Sequence, residues 1–238
     1  MRLLTFFILA FIVEAKSQPV DKNYLLGKFD PATHSQFVKL ADEHTRGSGR
    51  GGYLRKETYE AFLKMSAAAR QEGIELTIIS ATRNFDSQKR IWENKWNGKV
   101  PVEGKDLTTV SDLKERARLI LLYSSMPSTS RHHWGTDMDL NALENSYFES
   151  GEGLKIYTWL KAHAAEYGFC QPYTSKTTGR SGYEEERWHW SYLPLSGEFL
   201  NQYTKQVSYK DISGFAGSDI AKQMAVIKNY VEGVACKK

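Results

Sequence analysis

The ten-residue segment Ser130–Asp139 constrains the fold of this chain more than any other stretch. It follows a loop-forming run of Met-Pro-Ser-Thr, and Gly135 separates His132 from Asp139 within it. The residues after the glycine alternate between polar and apolar side chains, which is the pattern of a half-buried strand. On such a strand Asp137 and Asp139 share one face, and the residues between and after them face the core. A turn at Gly135 can then bring His132 back onto the face that carries Asp139.

A second polar cluster lies fifty residues further along the chain. His189 sits there in an aromatic, strand-like run, and three consecutive acidic residues, Glu184–Glu186, precede it. A catalytic zinc ion takes three protein ligands and keeps one position for water. His132, Asp139 and His189 would supply two imidazoles and one carboxylate, so the sequence predicts one zinc ion per chain. A neighbouring glutamate would act as general base, and spacing alone does not select among the three.

Two patterns together indicate a family. The pattern S-x-H-x-x-G-x-D-x-D at Ser130–Asp139, followed by E-x-x-H at Glu186–His189, resembles the signature of the VanY-type D-alanyl-D-alanine carboxypeptidases. These enzymes belong to a zinc peptidase group that includes lysostaphin-type enzymes and the hedgehog signalling domain. The resemblance covers roughly residues 24–194. It implies the zinc ligands His132, Asp139 and His189 and the general base Glu186.

A third pattern supports the same resemblance. Residues Ser80–Gln88 carry the block S-x-x-R-x-x-x-x-Q, which is similar to the serine–arginine–glutamine block of the family. The resemblance implies that Arg83 stabilises the oxyanion of the tetrahedral intermediate. It also implies that Ser130 and Gln88 lie near the terminal carboxylate of the substrate.

Asp137 departs from the family pattern, which usually has a small residue such as alanine at that position. Its side chain would point to the same side as Asp139. It could therefore tune the metal, accept a hydrogen bond from a ligand histidine or contact substrate. The neighbouring His133 is adjacent to His132 and so points elsewhere, which favours a packing role.

The pattern of the whole chain predicts an α+β fold: a small, mostly antiparallel sheet flanked by helices, as in the hedgehog and D-Ala-D-Ala peptidase group. The predicted strands are Leu76–Ser80, Asp137–Leu140 and Arg187–Tyr192. The predicted helices are Pro31 to about His44, Lys56–Glu72, Asp86–Trp96, Ser111 to about Tyr123, and Gly153–Tyr167. The hydrophobic content of 41% is enough for a packed core, and no linker or repeat divides the chain. We expect one domain over residues 18–238, with a C-terminal helical extension from about residue 195.

The first residues have the features of an export signal. Arg2 supplies a positive charge, the apolar run Leu3–Val13 is too short for a stable membrane anchor, and Ala15–Ser17 is a small-x-small cleavage site. The sequence therefore predicts a signal peptide at residues 1–17 and a mature chain that starts at Gln18. It predicts a periplasmic or secreted bacterial protein.

The two cysteines, Cys170 and Cys236, then form a predicted disulfide, because exported chains usually oxidise such pairs. Formal charge is +4, and removal of Arg2 and Lys16 (two positive) with Glu14 (one negative) leaves +3. This mild positive charge suits a peptide carboxylate, whereas no basic cluster indicates nucleic acid. Nothing in the sequence specifies an oligomeric state.

The function that the resemblance implies is zinc-dependent removal of the terminal D-alanine from peptidoglycan stem peptides. Two alternatives stay open. The same motifs occur in peptidoglycan endopeptidases that cut within the stem or the cross-bridge. The hedgehog relatives keep zinc in a binding module without turnover, although Glu186 and Arg83 both argue for an enzyme.

Overall fold

The computed structural model describes residues 19–236, and the predicted signal peptide at residues 1–17 lies outside them. The helices in chain order are α1 Lys22–Leu25, α2 Lys56–Gln71, α3 Phe85–Trp96, α4 Leu113–Ile120, α5 Gly151–His163 and α6 Leu193–Gln206. The strands are β1 Phe37–Lys39, β2 Tyr53–Arg55, β3 Ile78–Ser80, β4 Asp137–Leu140, β5 Phe169–Cys170 and β6 His189–Tyr192. Short 3₁₀ turns connect many of them. The α+β prediction is confirmed.

The central sheet has four strands in the order β3-β4-β6-β5, and every neighbouring pair is antiparallel. All three strands predicted from the sequence belong to it. Met138 and Leu140 on β4 are fully buried, and Met138 pairs across the sheet with Trp190 on β6. Because side chains alternate along a strand, the residues between them project from the opposite face. That second face carries the polar residues of both motifs.

Helices α2 and α3 have bounds within one residue of those predicted from the sequence. The predicted helix over residues 56–72 is α2, and its buried residues Tyr59, Phe62 and Met65 repeat at helical spacing. Helix α3 starts at Phe85 because Asn84 caps it: the side-chain oxygen accepts a hydrogen bond from the N–H of Ser87 at 2.9 Å.

The helix predicted from Pro31 to about His44 is wrong. The carboxylate of Asp30 accepts a hydrogen bond from the N–H of Ala32, but the chain then turns instead of continuing as a helix. Residues Phe37–Lys39 form β1 and pair with β2 in a two-stranded ribbon. The apolar spacing of this segment fits a helix locally, yet pairing with β2 satisfies its backbone and buries Phe37 among aromatic rings.

Two hydrophobic clusters lie in the molecule. One packs α2 and α5 against the apolar face of the sheet, with Phe62, Ile156 and Trp190 among its buried members. The other joins α1, α3, α4, α6 and the C-terminal segment, with Trp92 and Phe199 at its centre. The polar face of the sheet opens beside this second cluster.

The C-terminal segment begins with α6, which follows β6 directly and carries Pro194 in its first turn. Beyond α6 the chain forms a 3₁₀ turn at Ser218–Ile220 and a short π-helical segment at Ile227–Val231. The predicted helical extension is therefore only partly regular helix. Within residues 19–236, none of the helices combines the length and the apolar character needed to cross a bilayer.

Cys170 and Cys236 form a disulfide, as the sequence predicts, across a separation of 66 residues. The bond ties the end of the chain to β5, at the edge of the central sheet. The loop that it closes contains both Glu186 and His189.

Replacing both cysteines by serine should lower the free energy of unfolding by roughly 4 kcal/mol, because the unfolded chain regains the entropy of a long loop. Urea denaturation of Cys170→Ser/Cys236→Ser beside the oxidised wild type measures the difference. Wild-type protein unfolded in reductant is the control and should match the double variant. A loss below about 1 kcal/mol would contradict the expectation.

Candidate active site

The first motif folds as a single 3₁₀ turn, Arg131–Trp134, followed by a reversal into β4. The reversal requires Gly135. Its φ of +72° lies in the left-handed region, and a Cβ atom there would come within 2.4 Å of the Phe37 ring. The glycine thus lets the chain fold back so that His132 lies over the side chain of Asp139.

The second motif reaches the same place through the register of the sheet. Asp139 on β4 is paired with His189 on β6 and lies beside Ser80 on β3. Paired residues on antiparallel strands project from the same face. The sheet therefore places one residue from each of three distant motifs in a row across its polar face.

His132, Asp139 and His189 form a buried cluster whose ligand atoms all lie within 4.8 Å of one another. The Oδ1 atom of Asp139 is 3.4 Å from Nε2 of His132 and 3.2 Å from Nδ1 of His189. Ligands around a tetrahedral zinc ion are roughly 3.3 Å apart, given zinc–ligand distances near 2 Å. These spacings fit zinc.

Two buried atoms in this cluster have no hydrogen-bond partner among the described residues: Nε2 of His132 and Oδ1 of Asp139. An unpaired buried polar atom costs free energy, so such atoms call for an unseen partner. Both atoms face the position that the three ligands share. The donor set therefore fits a bound cation.

In each ligand histidine, one ring nitrogen donates a hydrogen bond to the protein, which leaves the other nitrogen free for a metal. Nδ1 of His132 lies 2.8 Å from the carbonyl oxygen of Ala81, to which it can only donate. Nε2 of His189 lies 3.0 Å from a carboxylate oxygen of Asp137 and donates to it. A neutral imidazole that donates from one nitrogen has its lone pair on the other, so in their neutral forms both rings can turn a lone pair toward a cation beside Asp139.

Asp137 therefore orients His189 from outside the ligand cluster. It also accepts a hydrogen bond from Nε of the buried Arg131 at 3.0 Å and another from the hydroxyl of Thr136. Burial opposes ionisation of Asp137, but the guanidinium of Arg131 and the hydrogen bond from His189 outweigh it and hold the pKa below its ordinary value. Arg131 was not predicted from the sequence, although it stands inside the first motif.

Burial and charge also shift the pKa values of the cluster. Burial, and then the nearby charge of Arg83, lowers the pKa of His132. Burial works against the charged form of Asp139, yet His132, and then His189, lower the pKa of this carboxyl. Burial also works against the charged form of His189, yet its hydrogen bonds to Asp137, Asp139 and Glu186 raise the pKa of the ring. The carboxylates of Asp137, Asp139 and Glu186 all lie within 3.2 Å of one imidazole, His189. So much negative charge in a buried site favours a divalent cation.

Glu186 is the acidic residue of its run that reaches the cluster. Its Oε2 atom lies 3.2 Å from Nδ1 of His189, and its side chain lines the cleft beside the ligands. Burial raises its pKa above the ordinary glutamate value. Glu184 pairs instead with Lys176, and Glu185 pairs with Arg187.

Arg83 lies on the same side as Glu186, with about a quarter of its side chain exposed to the cleft. Its Nη1 atom donates to Ser80 at 2.7 Å and lies 3.5 Å from Asp139, and its Nε donates to Gln88 at 3.0 Å. Gln88 in turn donates from Nε2 to the carbonyl of Ser125. Gln88 thus holds the guanidinium, while Nη2 of Arg83 has no hydrogen-bond partner among the described residues.

Ser130 and His133 are both buried next to the cluster. Ser130 is 1% exposed, its hydroxyl has no partner among the described residues, and it does not line the cleft. His133 donates from Nδ1 to the carbonyl of Arg83 at 2.6 Å and accepts from the N–H of Ser128 at Nε2. Burial lowers the pKa of the His133 ring to about 3, and the hydrogen bond to the Arg83 carbonyl only partly opposes this shift. His133 therefore fixes the backbone at Arg83.

The ligand cluster forms the floor of a cleft of about 260 Å³. One wall is a face of α3, on which Gln88, Ile91 and Lys95 follow one another, and the opposite wall includes Leu143 and Trp188. Ile91 and Leu143 make part of the cleft apolar. The cleft is large enough for a short peptide end, and it brings the cluster of three candidate ligands, the Glu186 carboxylate and the side chains of Arg83 and Lys95 together.

Comparisons with known proteins identify the family of this chain. Residues 51–195 match the model of the VanY family, described as D-alanyl-D-alanine carboxypeptidase. The chain is 31% identical over 144 residues to the protein YodJ of Bacillus subtilis, a match that covers 59% of this chain and 46% of that one. The chain spans about half the length of the curated relatives it matches.

Two solved structures share the fold. The LdcB LD-carboxypeptidase superposes with a TM-score of 0.52 at 24% identity, covering 75% of this chain and 76% of that one. A vancomycin-resistance D,D-pentapeptidase VanY in complex with Zn(II) superposes with a TM-score of 0.52 at 20% identity, covering 77% of this chain and 93% of that one. With the family match over more than half of its length, this chain belongs to the VanY family of D-alanyl-D-alanine carboxypeptidases.

Proposed function

We propose that this protein is a zinc-dependent carboxypeptidase that removes the terminal D-alanine from peptidoglycan stem peptides. The observation that carries the proposal is the buried cluster of His132, Asp139 and His189, whose unpaired atoms face a cleft shared with Glu186 and Arg83. The family and its signature supply the substrate class. One zinc ion per chain satisfies the cluster.

Zinc held by these three ligands would supply a polarising centre and an acidified water. Glu186 is the general base: its carboxylate takes a proton from the attacking water and returns it to the departing amine nitrogen. A raised pKa suits both steps, because the group must accept and release a proton near neutral pH. Its position beside His189 supports this role over that of Glu184 or Glu185.

Arg83 stabilises the negative charge that develops on the scissile carbonyl oxygen. Gln88 and Ser80 hold the guanidinium in place, so its geometry is set before substrate binds. Its unpaired Nη2 atom is the donor for the oxyanion. Gln88 therefore acts in this proposal through Arg83 as a positioning residue, and Ser130 lies too deep to touch substrate directly.

The cellular setting follows from the predicted signal and the substrate. We propose an exported bacterial protein that acts in the periplasm or outside the cell, as one folded domain of residues 18–238. Its partner is the stem peptide of peptidoglycan or of a peptidoglycan precursor. No nucleic-acid partner is proposed.

Mass spectrometry of muropeptides incubated with the purified protein tests the function. Pentapeptide stems should lose a single terminal alanine, a chelator should stop the loss, and added zinc should restore it. Cleavage inside the stem or the cross-bridge would assign the protein to the endopeptidases. Absence of any product from zinc-loaded protein would favour a binding module.

Glu186→Gln should lower kcat by roughly 10²- to 10⁴-fold, because the amide keeps the shape of the side chain but accepts no proton. Zinc content, measured by elemental analysis, should stay at one ion per chain. Glu185→Gln is the matched control, since Glu185 pairs with Arg187 outside the cleft. Equal kcat values for the two variants would contradict the role of Glu186.

Asp137→Ala should weaken zinc binding by about 10- to 100-fold, because His189 loses the acceptor that orients it. Competition with a chelator of known affinity measures this on metal-free protein. The substitution also leaves Arg131 buried without its partner, so Arg131→Met/Asp137→Ala provides a second variant without an unpaired charge. Asp137→Asn, which keeps an acceptor oxygen, should lose less. Wild-type affinity in a folded double variant would overturn this role.

A further inference from the structure

The cleft contains a cation, Lys95, that none of the three sequence motifs includes. Lys95 lies on the wall formed by α3 and is partly buried there, with its Nζ atom 2.7 Å from the hydroxyl of Ser124. This is its one side-chain hydrogen bond to the described residues, and no carboxylate among them lies within ion-pair distance of its ammonium. Arg83, the other cation of the cleft, is already bonded to Ser80, Gln88 and Asp139.

A partly buried ammonium without a counter-ion is costly unless an anion from outside completes the site. Burial is the main cause that lowers the pKa of Lys95, and the charge of Arg83 adds to it. The bond to Ser124 uses one N–H of the ammonium, so Lys95 keeps two donors and Ser124 keeps its O–H donor. The chemistry of the wall therefore suits a carboxylate.

The position of Lys95 relative to Arg83 can be read from two hydrogen bonds. Lys95 is bonded to Ser124, and Gln88, which holds Arg83, is bonded to the carbonyl of Ser125. Neighbouring residues in a chain have Cα atoms about 3.8 Å apart. Helical side chains also lean toward the helix N-terminus, so the long side chain of Lys95 runs back toward Gln88. Adjacent residues, Ser124 and Ser125, thus hold the ammonium of Lys95 and the amide of Gln88, and both side chains line the same cleft as Arg83.

Two cations in one cleft suit the end of a peptide chain, which carries a scissile carbonyl and a free carboxylate on successive residues. In the proposed function Arg83 contacts the oxygen of the scissile carbonyl, and the free carboxylate of the substrate belongs to the next residue. We propose that Lys95, together with the hydroxyl of Ser124, binds the terminal α-carboxylate of the substrate and so determines specificity for a free chain end. The inference rests on the proposed function and deepens it, because an endopeptidase would have no carboxylate to place there.

The substrate pair that tests this is an N-acyl-D-alanyl-D-alanine and its C-terminal carboxamide, which differ only in the charge of the terminal group. Wild-type, zinc-loaded protein should prefer the acid. Lys95→Met should lower kcat/KM for the acid by roughly 10- to 100-fold, the loss expected for a hydrogen bond to a charged group. Its kcat/KM for the amide should change by less than about threefold, because the amide makes no ion pair with lysine.

Lys89→Met is the matched control. Lys89 lies on the same helix, outside the cleft, where it contacts Glu93 at 3.9 Å. The Lys89→Met substitution removes the same charge from the protein and should leave the preference for the acid unchanged. Equal losses in the two lysine variants would show a general charge effect and overturn the assignment.

Binding of both compounds to zinc-loaded Glu186→Gln, with and without Lys95→Met, separates this inference from the proposed function. Calorimetry on these variants requires no turnover. If the wild type hydrolyses the acid and the amide equally, the carboxypeptidase function stands and the role of Lys95 fails. If neither compound is hydrolysed, the proposed function fails. Preferential binding of the acid that depends on Lys95 would still support the carboxylate site, and its absence would overturn it.

Discussion

The antiparallel pairing of β4 with β6 is the constraint on which the site depends. It sets Asp139 opposite His189, and the pairing of β3 with β4 adds Ser80 to the same row. A shift of one residue in either pairing would turn these side chains to the apolar face. The register is secured by that apolar face, where Met138 and Trp190 are buried together against α2 and α5. Hydrophobic packing on one side of the sheet thus holds the polar geometry on the other.

Charge in the site is arranged in layers around His189. Asp139 and Glu186 approach one side of the ring, and Asp137 binds the other. Arg131 neutralises Asp137 at a distance of 3.0 Å, and both residues are almost fully buried. Such a pair contributes little net stability, because desolvation offsets most of the attraction. The main effect of the pair is to orient His189, because the bond from Nε2 to Asp137 turns Nδ1 toward the other two candidate ligands.

The wall of α3 gives the cleft its direction. Gln88 positions Arg83 near the ligand cluster, and Lys95 follows two helical turns later on the same face. In the proposed function the helix therefore aligns the donor for the scissile carbonyl with the cation for the chain end. On this proposal the ligand cluster would provide the chemistry, and the helix would determine which bond of the peptide reaches it.

The sequence by itself determined the local features of this protein. The alternation over Asp137–Leu140 predicted β4, and the apolar spacing predicted α2. The three motifs named six of the residues that line the cleft: Arg83, Gln88, His132, Asp139, Glu186 and His189. These features depend on residues close together in the chain, or on a motif that reports a known arrangement. The disulfide also followed from the sequence, because the chain has only two cysteines.

Only the tertiary structure decided how these pieces contact one another. Strand pairing with β2 overrode the helical spacing of residues 31–44. The tertiary structure distinguished Glu186 from its two acidic neighbours and buried Ser130 below the cleft. The fold also gave Asp137 a partner in Arg131 and, within residues 19–236, left Lys95 without a carboxylate at ion-pair distance. Each outcome depends on the register between distant strands and on the burial of charge, and neither quantity is encoded in the spacing of residues along the chain.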